Sequence, residues 1–189
     1  GNQATGNLMV SDANGVGIWT APATVIGNTA WTTSGNTGTT DGVNFIGTTD
    51  NVPFTVRTNN QQSGRVDPLK SNSFWGYWAG KNSTGTQNEA FGTNALLNNI
   101  TGVKNTAVGT SSLENNTSGG NVAVGYFTLN ANTSGHNNTS VGMMAGSTNT
   151  TGSRNTLIGD SADVSSANLT NATAIGFNAK VGASNSLVL

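Results

Sequence analysis

Few of the 189 residues carry side chains that do chemistry: one histidine, eight acids, seven bases and no cysteine. His136 sits beside the turn from Asn132 to Gly135, and acid–base or nucleophilic work there would need a partner held against the ring. No His/Ser/Asp spacing recurs around it, so a solvent-facing loop residue is the expectation. Asp160 with Asp163, and Asp41 with Asp50, are the only acids that could be imagined as carboxylate pairs, yet acids scattered among Gly, Asn and Ser read as turn-capping or solvated groups. Calcium would need an EF-hand loop or a glycine–aspartate nonapeptide, and neither is present. Without cysteine there is no thiolate metal site and no disulfide framework. No catalytic residue, metal or cofactor is therefore assigned. The cluster Phe74, Trp75, Tyr77 and Trp78 is the most tempting binding feature, because aromatic faces stack on sugars. Its place at the start of a repeat array favours a lid over an open sheet end, so Trp75, Tyr77 and Trp78 are read as a cap first and a glycan contact second.

What must position these residues is a repeat. A small or polar residue, an apolar one and a glycine recur as FWG, AFG, AVG, AVG, SVG, LIG and AIG, ending at Gly76, Gly92, Gly109, Gly125, Gly142, Gly159 and Gly176, with separations of 16, 17, 16, 17, 17 and 17. Four residues before each of the first six glycines stand Asn72, Asn88, Asn105, Asn121, Asn138 and Asn155, and only Ala172 breaks that series. Directly before the glycines come Trp75, Phe91, Val108, Val124, Val141, Ile158 and Ile175, which stack into one apolar column if each repeat is one coil. Three residues after the glycines only Ala, Ser or Thr occurs, and four after them come Leu96, Leu113 and Leu129. The Val/Ile column and these leucines are the large groups available to an inner face.

A second signature, N-x-[ST]-G, recurs at residues 82, 99, 116, 132 and 149 and ends as NLTN at 168–171. The exchange of its last Gly for Asn suggests a position of positive φ. In that coil two residues look inserted before the turn and two lost after it. The tripeptides match the glycosylation acceptor pattern, but their fixed phase within the coil assigns them to turn chemistry. A period of 16–17 is about half the length that a helical-hairpin repeat needs, and no i, i+3, i+4 apolar pattern is present. Two short strands per coil, on either side of the glycine, fit the length. Seven coils stacked at about 4.8 Å would rise about 34 Å.

Composition agrees with a fibre. Only 34% of residues are hydrophobic and 8% charged, with net charge −1, against about 25% charged residues in ordinary soluble domains. Seven thinly spread bases offer no stripe for phosphates or for an anionic membrane surface, and no apolar run nears the roughly 20 residues of a membrane span. Nucleic acid and membrane insertion are thus not expected as partners. A coil this thin buries little on its own. Three solenoids around a threefold axis would hide the remaining apolar column, and self-association as a homotrimer or fibre is the expectation.

The elements NTAVG, NVAVG, NTSVG and ATAIG, followed by a small residue, resemble the head repeats of trimeric autotransporter adhesins over about residues 72–189. They are also similar to repeat arrays of bacterial surface proteins and phage tail fibres that end in an endosialidase-type chaperone domain. Two departures stand out: the adhesin repeat is shorter, and no chaperone domain is in this chain. The resemblance implies a left-handed parallel β-roll, a trimer, a location on a bacterial surface or virion, and binding to a host-surface glycan or protein. The domain reading is a β-rich stalk or connector over residues 1–71 and an all-β solenoid of seven coils over 72–189. Within the first part, residues 52–58 and 64–68 are expected to pair as a hairpin, with further strands near residues 7–10 and 43–46 and a turn at 12–15. The functional expectation is a structural or adhesive segment of an extracellular fibre. Its rivals are a head-to-tail filament, a polysaccharide-cleaving tail spike, and an ice-binding solenoid suggested by Thr106, Thr139, Thr156 and Thr173, a column that Glu89 and Val122 interrupt.

Overall fold

The structure, a computed structural model, describes residues 6, 8–11, 14–20, 37–40, 43 and 45–189. Two compact units divide the chain, Gly1–Gly47 and Thr48–Leu189. In the first, β1 (Leu8–Ser11) pairs antiparallel with β2 (Gly17–Thr20). The expected turn lies between them, although its Asp12 and Ala13 fall outside the described residues. The described residues of the 43–46 segment form no strand.

The second unit opens with the expected hairpin, β3 (Phe54–Thr58) against β4 (Gln61–Asp67). Asn59 and Asn60 join them with φ of 48° and 57°. Two consecutive left-handed residues match the twist of the strands they connect, and Asn accepts that conformation better than most. β4 then pairs antiparallel with β5 (Asn72–Trp75), so the hairpin belongs to the same sheet as the repeats.

From β5 onward the sheet is parallel. The strands β6 (Glu89–Phe91), β7 (Thr106–Val108), β8 (Val122–Val124), β9 (Thr139–Val141) and β10 (Thr156–Ile158) each lie on the one before. Beyond them β11 (Asp163–Val164) lies outside this sheet, while β12 (Thr173–Ile175) continues it. β13 (Lys180–Val181) pairs with β11, and β14 (Leu187–Val188) adds the last rung to β12. The chain is an all-β solenoid of about seven turns, with no helix among the described residues. Residue pairs such as Val108↔Val124 and Val124↔Val141 are direct neighbours, so equivalent positions of successive repeats do stack.

Two expectations about the coil need correction. A second strand exists only in the last two turns, as β11 and β13. Elsewhere the chain after the glycine is a run of turns, with left-handed residues two and four places on, such as Ser111 and Leu113 or Phe127 and Leu129. The Val/Ile column, moreover, is not inside. Val108, Val124, Val141, Ile158 and Ile175 are 36–41% exposed and Phe91 is 59% exposed, whereas the residue one place earlier, Ala90, Ala107, Ala123, Ser140, Leu157 or Ala174, is buried. Alternation along a strand sends neighbouring side chains to opposite faces. A lumen this narrow admits alanine on the strand side and leucine opposite, from Leu96, Leu113 and Leu129, all fully buried.

Large and small residues offset one another where this rule is broken. Phe74 takes an alanine position at the start of the array, and Gly80 stands where later coils have leucine; a β-carbon on Gly80 would lie 2.4 Å from the Phe74 ring. Leu157 does the same further along, opposite Gly146, whose β-carbon would lie 3.0 Å from Leu157 Cδ1 and 2.6 Å from Leu129 Cδ2. The core keeps its volume while its residues trade places.

Candidate binding surfaces and the ladders that hold them

Each coil is fixed to the next by buried asparagines. Asn72, Asn88, Asn105, Asn121, Asn138 and Asn155 are all buried. The side-chain carbonyl of each accepts the backbone N–H of the residue one coil on, at 2.8–3.0 Å, the last of these being Ala172. Each side-chain N–H in turn donates to a turn carbonyl, at Gly85, Gly102, Ser118, Gly135, Gly152 and Leu169. Ala172 breaks the series, as the sequence indicates, after the final bond has been made.

A second asparagine ladder runs beside the first. Asn99, Asn116, Asn132 and Asn149 are buried, and each of the last three passes its amide N–H to the one before at 2.8–3.1 Å. The turn signature therefore marks a structural ladder, and these four amides are closed to modification. Asn82, which is exposed, belongs to neither ladder and bonds instead to half-buried Asn98. Outside, Thr101, Thr117 and Thr133 donate to the next coil's carbonyls at 3.0–3.1 Å.

The ladders locate the one-residue variation in coil length. Asn99, Asn132 and Asn149 stand three residues before their turn carbonyls at Gly102, Gly135 and Gly152, whereas Asn116 stands two before Ser118. In the first coil Ser83, which receives the Asn99 amide, also stands two before Gly85. The 16-residue coils have lost a residue at this corner. The sixth coil, read from its sequence as an insertion balanced by a deletion, has neither: the Leu169 carbonyl occupies the place of Gly152's.

Two classes of glycine are required for different reasons. Gly76, Gly92, Gly109, Gly125, Gly142, Gly159 and Gly176 have φ from 123° to 140°, and for all but Gly176 a β-carbon would approach the following coil's backbone to within 2.3–2.6 Å. The turn residues Gly85, Gly102, Gly135 and Gly152 do not have positive φ, contrary to the sequence reading; they are glycine because a β-carbon would strike the next coil's carbonyl at 1.9–2.3 Å. Positive φ belongs instead to the residue before each ladder asparagine, Ser71, Gln87, Lys104, Gly120, Asn137 and Arg154, and to Asn171 before Ala172.

Of the candidate chemical groups, His136 is exposed and its ring meets the Asn137 amide, at 3.2 Å from Nδ1, while its backbone N–H donates to Ser153 Oγ. Asp163 is buried, capping a turn by accepting from Ser147 Oγ and the backbone N–H groups of Thr148 and Val164, while Asp160 bonds to Ser161. Asp50 is exposed and Asp41 falls outside the described residues. No cluster of three His, Cys, Asp or Glu side chains able to hold a metal occurs among the described residues. The Thr106, Thr139, Thr156 and Thr173 column is half-buried beside the Val/Ile column and shares its outward face.

The aromatic cluster divides. Phe74 is core. Trp75 packs over Gly64, where a β-carbon would lie 2.9 Å from the indole. Trp78 donates its indole N–H to Gln61 at 3.2 Å, stacks on Tyr77 at 4.9 Å, and has the Lys81 ammonium 4.1 Å from its ring centroid. What covers the sheet edge at the first coil is the backbone of β4: Ser63 and Gln62 accept from the N–H groups of Gly76 and Trp78. The aromatics brace that cover, and Tyr77 stays exposed.

Beside this cover lies a feature that sequence reading missed, a polar cavity of about 170 Å³ between β4 and the first coil, lined among others by Gln62, Arg65, Asp67, Lys70, Lys81 and Ser83. Arg65 pairs with Asp67 at 2.9 Å. Burial pushes the Asp67 carboxyl up, but the bond from Arg65, the N–H groups of Lys70 and Leu69, and the Arg65 charge together hold it below its ordinary value of 3.8.

These features define a class, the parallel β-solenoid repeat protein with internal asparagine ladders. Comparison of the chain with family models, with curated proteins and with solved structures finds no match.

Proposed function

We propose that the chain is a non-catalytic structural and adhesive segment of an extracellular fibre on a bacterial surface or virion, and that its solenoids associate as a homotrimer. The observation that carries this reading is the outward column from Phe91 to Ile175: six large apolar side chains in register, all exposed in the single chain. Contiguous exposed apolar surface on a soluble protein marks an interaction site. A column one residue wide and several coils long suits a parallel copy of itself, because identical coils present identical spacing along a shared axis.

Val124 and Val141 are central, and their replacement by Asp leaves the inward alanines and the ladders untouched. Sedimentation and native mass measurement should find a trimer for the wild-type chain and a folded monomer for Val124→Asp/Val141→Asp. A wild-type chain that stays monomeric at tens of micromolar, or a double variant that still trimerises, refutes the assembly.

A further inference from the structure

We propose that the cavity at the first coil is a binding site for a sugar acid, a hydroxylated ring carrying one carboxylate. The proposal deepens the adhesive part of the function proposed above, but every residue it uses lies in one chain. The chain has seven bases in all and a net charge of −1, yet Arg65, Lys70 and Lys81 all line this one cavity and Asp67 is its only acid. Asp67 already accepts from Arg65, Leu69 and Lys70. Among the described residues neither the Lys70 nor the Lys81 ammonium has a carboxylate within ion-pair distance, since the one ion pair there is Arg65–Asp67. Lys70 and Lys81 thus bring two positive charges without a carboxylate partner to the rim of a partly enclosed space, the Lys81 ammonium lying over the Trp78 ring, and field lines there concentrate on an incoming anion.

The position follows from the fold. Arg65 is the β4 partner of Phe74, and Asp67 that of Asn72, so both side chains share the face of the solenoid's inward column. At this end the apolar lumen gives way to a charged mouth. Arg65 uses only part of its five-donor fork on Asp67, and the remainder suits a planar carboxylate.

Three observations favour a sugar acid over an acidic peptide. The cavity is smaller than the roughly 300 Å³ at which drug-sized pockets begin, which suits one ring. Its wall includes Gln62 and Ser83; Gln62 donates one amide N–H to the Ala79 carbonyl and Ser83 accepts from Asn99, which leaves the Gln62 side-chain carbonyl and the Ser83 hydroxyl hydrogen to match ring hydroxyls and not an apolar side chain. Lys81 ties the cavity to the stacked Tyr77–Trp78 pair, an aromatic face on which the next ring of a glycan can lie.

The test is calorimetric and NMR titration of the full chain with glucuronate and N-acetylneuraminate, with methyl glucoside and inorganic sulfate as comparisons. Saturable binding of a sugar acid at one site per chain, weakened by salt, is expected, with no binding of methyl glucoside. Lys70→Gln/Lys81→Gln should weaken it about tenfold or more, the loss expected when bonds to a charged group are removed. Lys104→Gln, outside the cavity, should leave it unchanged, and circular dichroism checks that each variant keeps its fold. No saturation by either sugar acid, or undiminished binding by the double variant, overturns the site. Sulfate binding as tight as the sugar acid overturns the sugar assignment. Native mass measurement on the same samples separates the two proposals, since a monomer that binds refutes only the trimer and a trimer that does not bind refutes only the site.

Discussion

Replacing Asn121 by leucine removes one rung of the inner ladder while keeping the branching and the number of heavy atoms of the side chain. Its carbonyl oxygen accepts from the Asn138 backbone N–H at 3.0 Å and from the Asn138 amide at 3.1 Å, and its own amide donates to Gly135 at 3.0 Å. These losses are unequal. The Gly135 carbonyl keeps the Asn132 amide, and the Asn138 amide keeps Gly152. The Asn138 backbone N–H loses its acceptor, and Asn138 is fully buried. One orphaned buried donor costs about 1–3 kcal/mol, and each further bond lost between groups that stay paired about 0.5–1.5 kcal/mol. Asn121→Leu should therefore destabilise by about 2–6 kcal/mol. Asn115→Leu, which breaks bonds to Asn98 and Asn130 on the exposed side, should change stability by less than about 0.5 kcal/mol. Guanidinium unfolding at one fixed protein concentration measures both, and with a slope of about 4 kcal/mol/M the buried substitution should lower the midpoint by about 0.5–1.5 M. If the two variants unfold together, the inner ladder does not hold the coils and the reasoning fails.

Gly109→Ala puts a β-carbon 2.3 Å from the Gly125 carbonyl at φ of 124° and should prevent cooperative folding, whereas Gly182→Ala, with nothing within 4 Å, should be silent in the same unfolding assay. Leu157→Ala empties the space opposite Gly146 and should cost about 2–5 kcal/mol in guanidinium. The carboxylate of Asp67, held below its ordinary 3.8, contributes stability that is present above that value and is lost as pH falls through the lower folded value. Acid titration of thermal stability should show this loss in the wild type, and Asp67→Asn should be less stable at neutral pH with a flatter acid limb.

The repeat register was legible because the glycines and the asparagines four places earlier are fixed by backbone demands that few other residues meet: φ near 130°, and an amide that accepts from one coil while donating to a turn. Which strand face points inward was not. Three-residue strands offer too few alternations, and Val124 looks like core and Ala123 like surface until the width of the lumen is known. The buried role of Asn116 and Asn132 was hidden because N-x-[ST]-G reads as a complete turn signature by itself. The charged mouth was missed because Arg65 and Lys81 lie 16 residues apart and meet only when β4 folds back antiparallel on the first coil. A signal was present nonetheless, in three of the seven bases falling between residues 65 and 81.

Because the missing residue of the short coils always comes from the same corner, every other segment of the coil behaves as an interchangeable part. Duplicating residues 110–125 should add one complete rung and lengthen the rod by about 4.8 Å, with both ladders and the outward column carried through unbroken. Such a chain works as a ruler: its reach is set by how many cassettes are spliced in, and neither end needs to be rebuilt to change it.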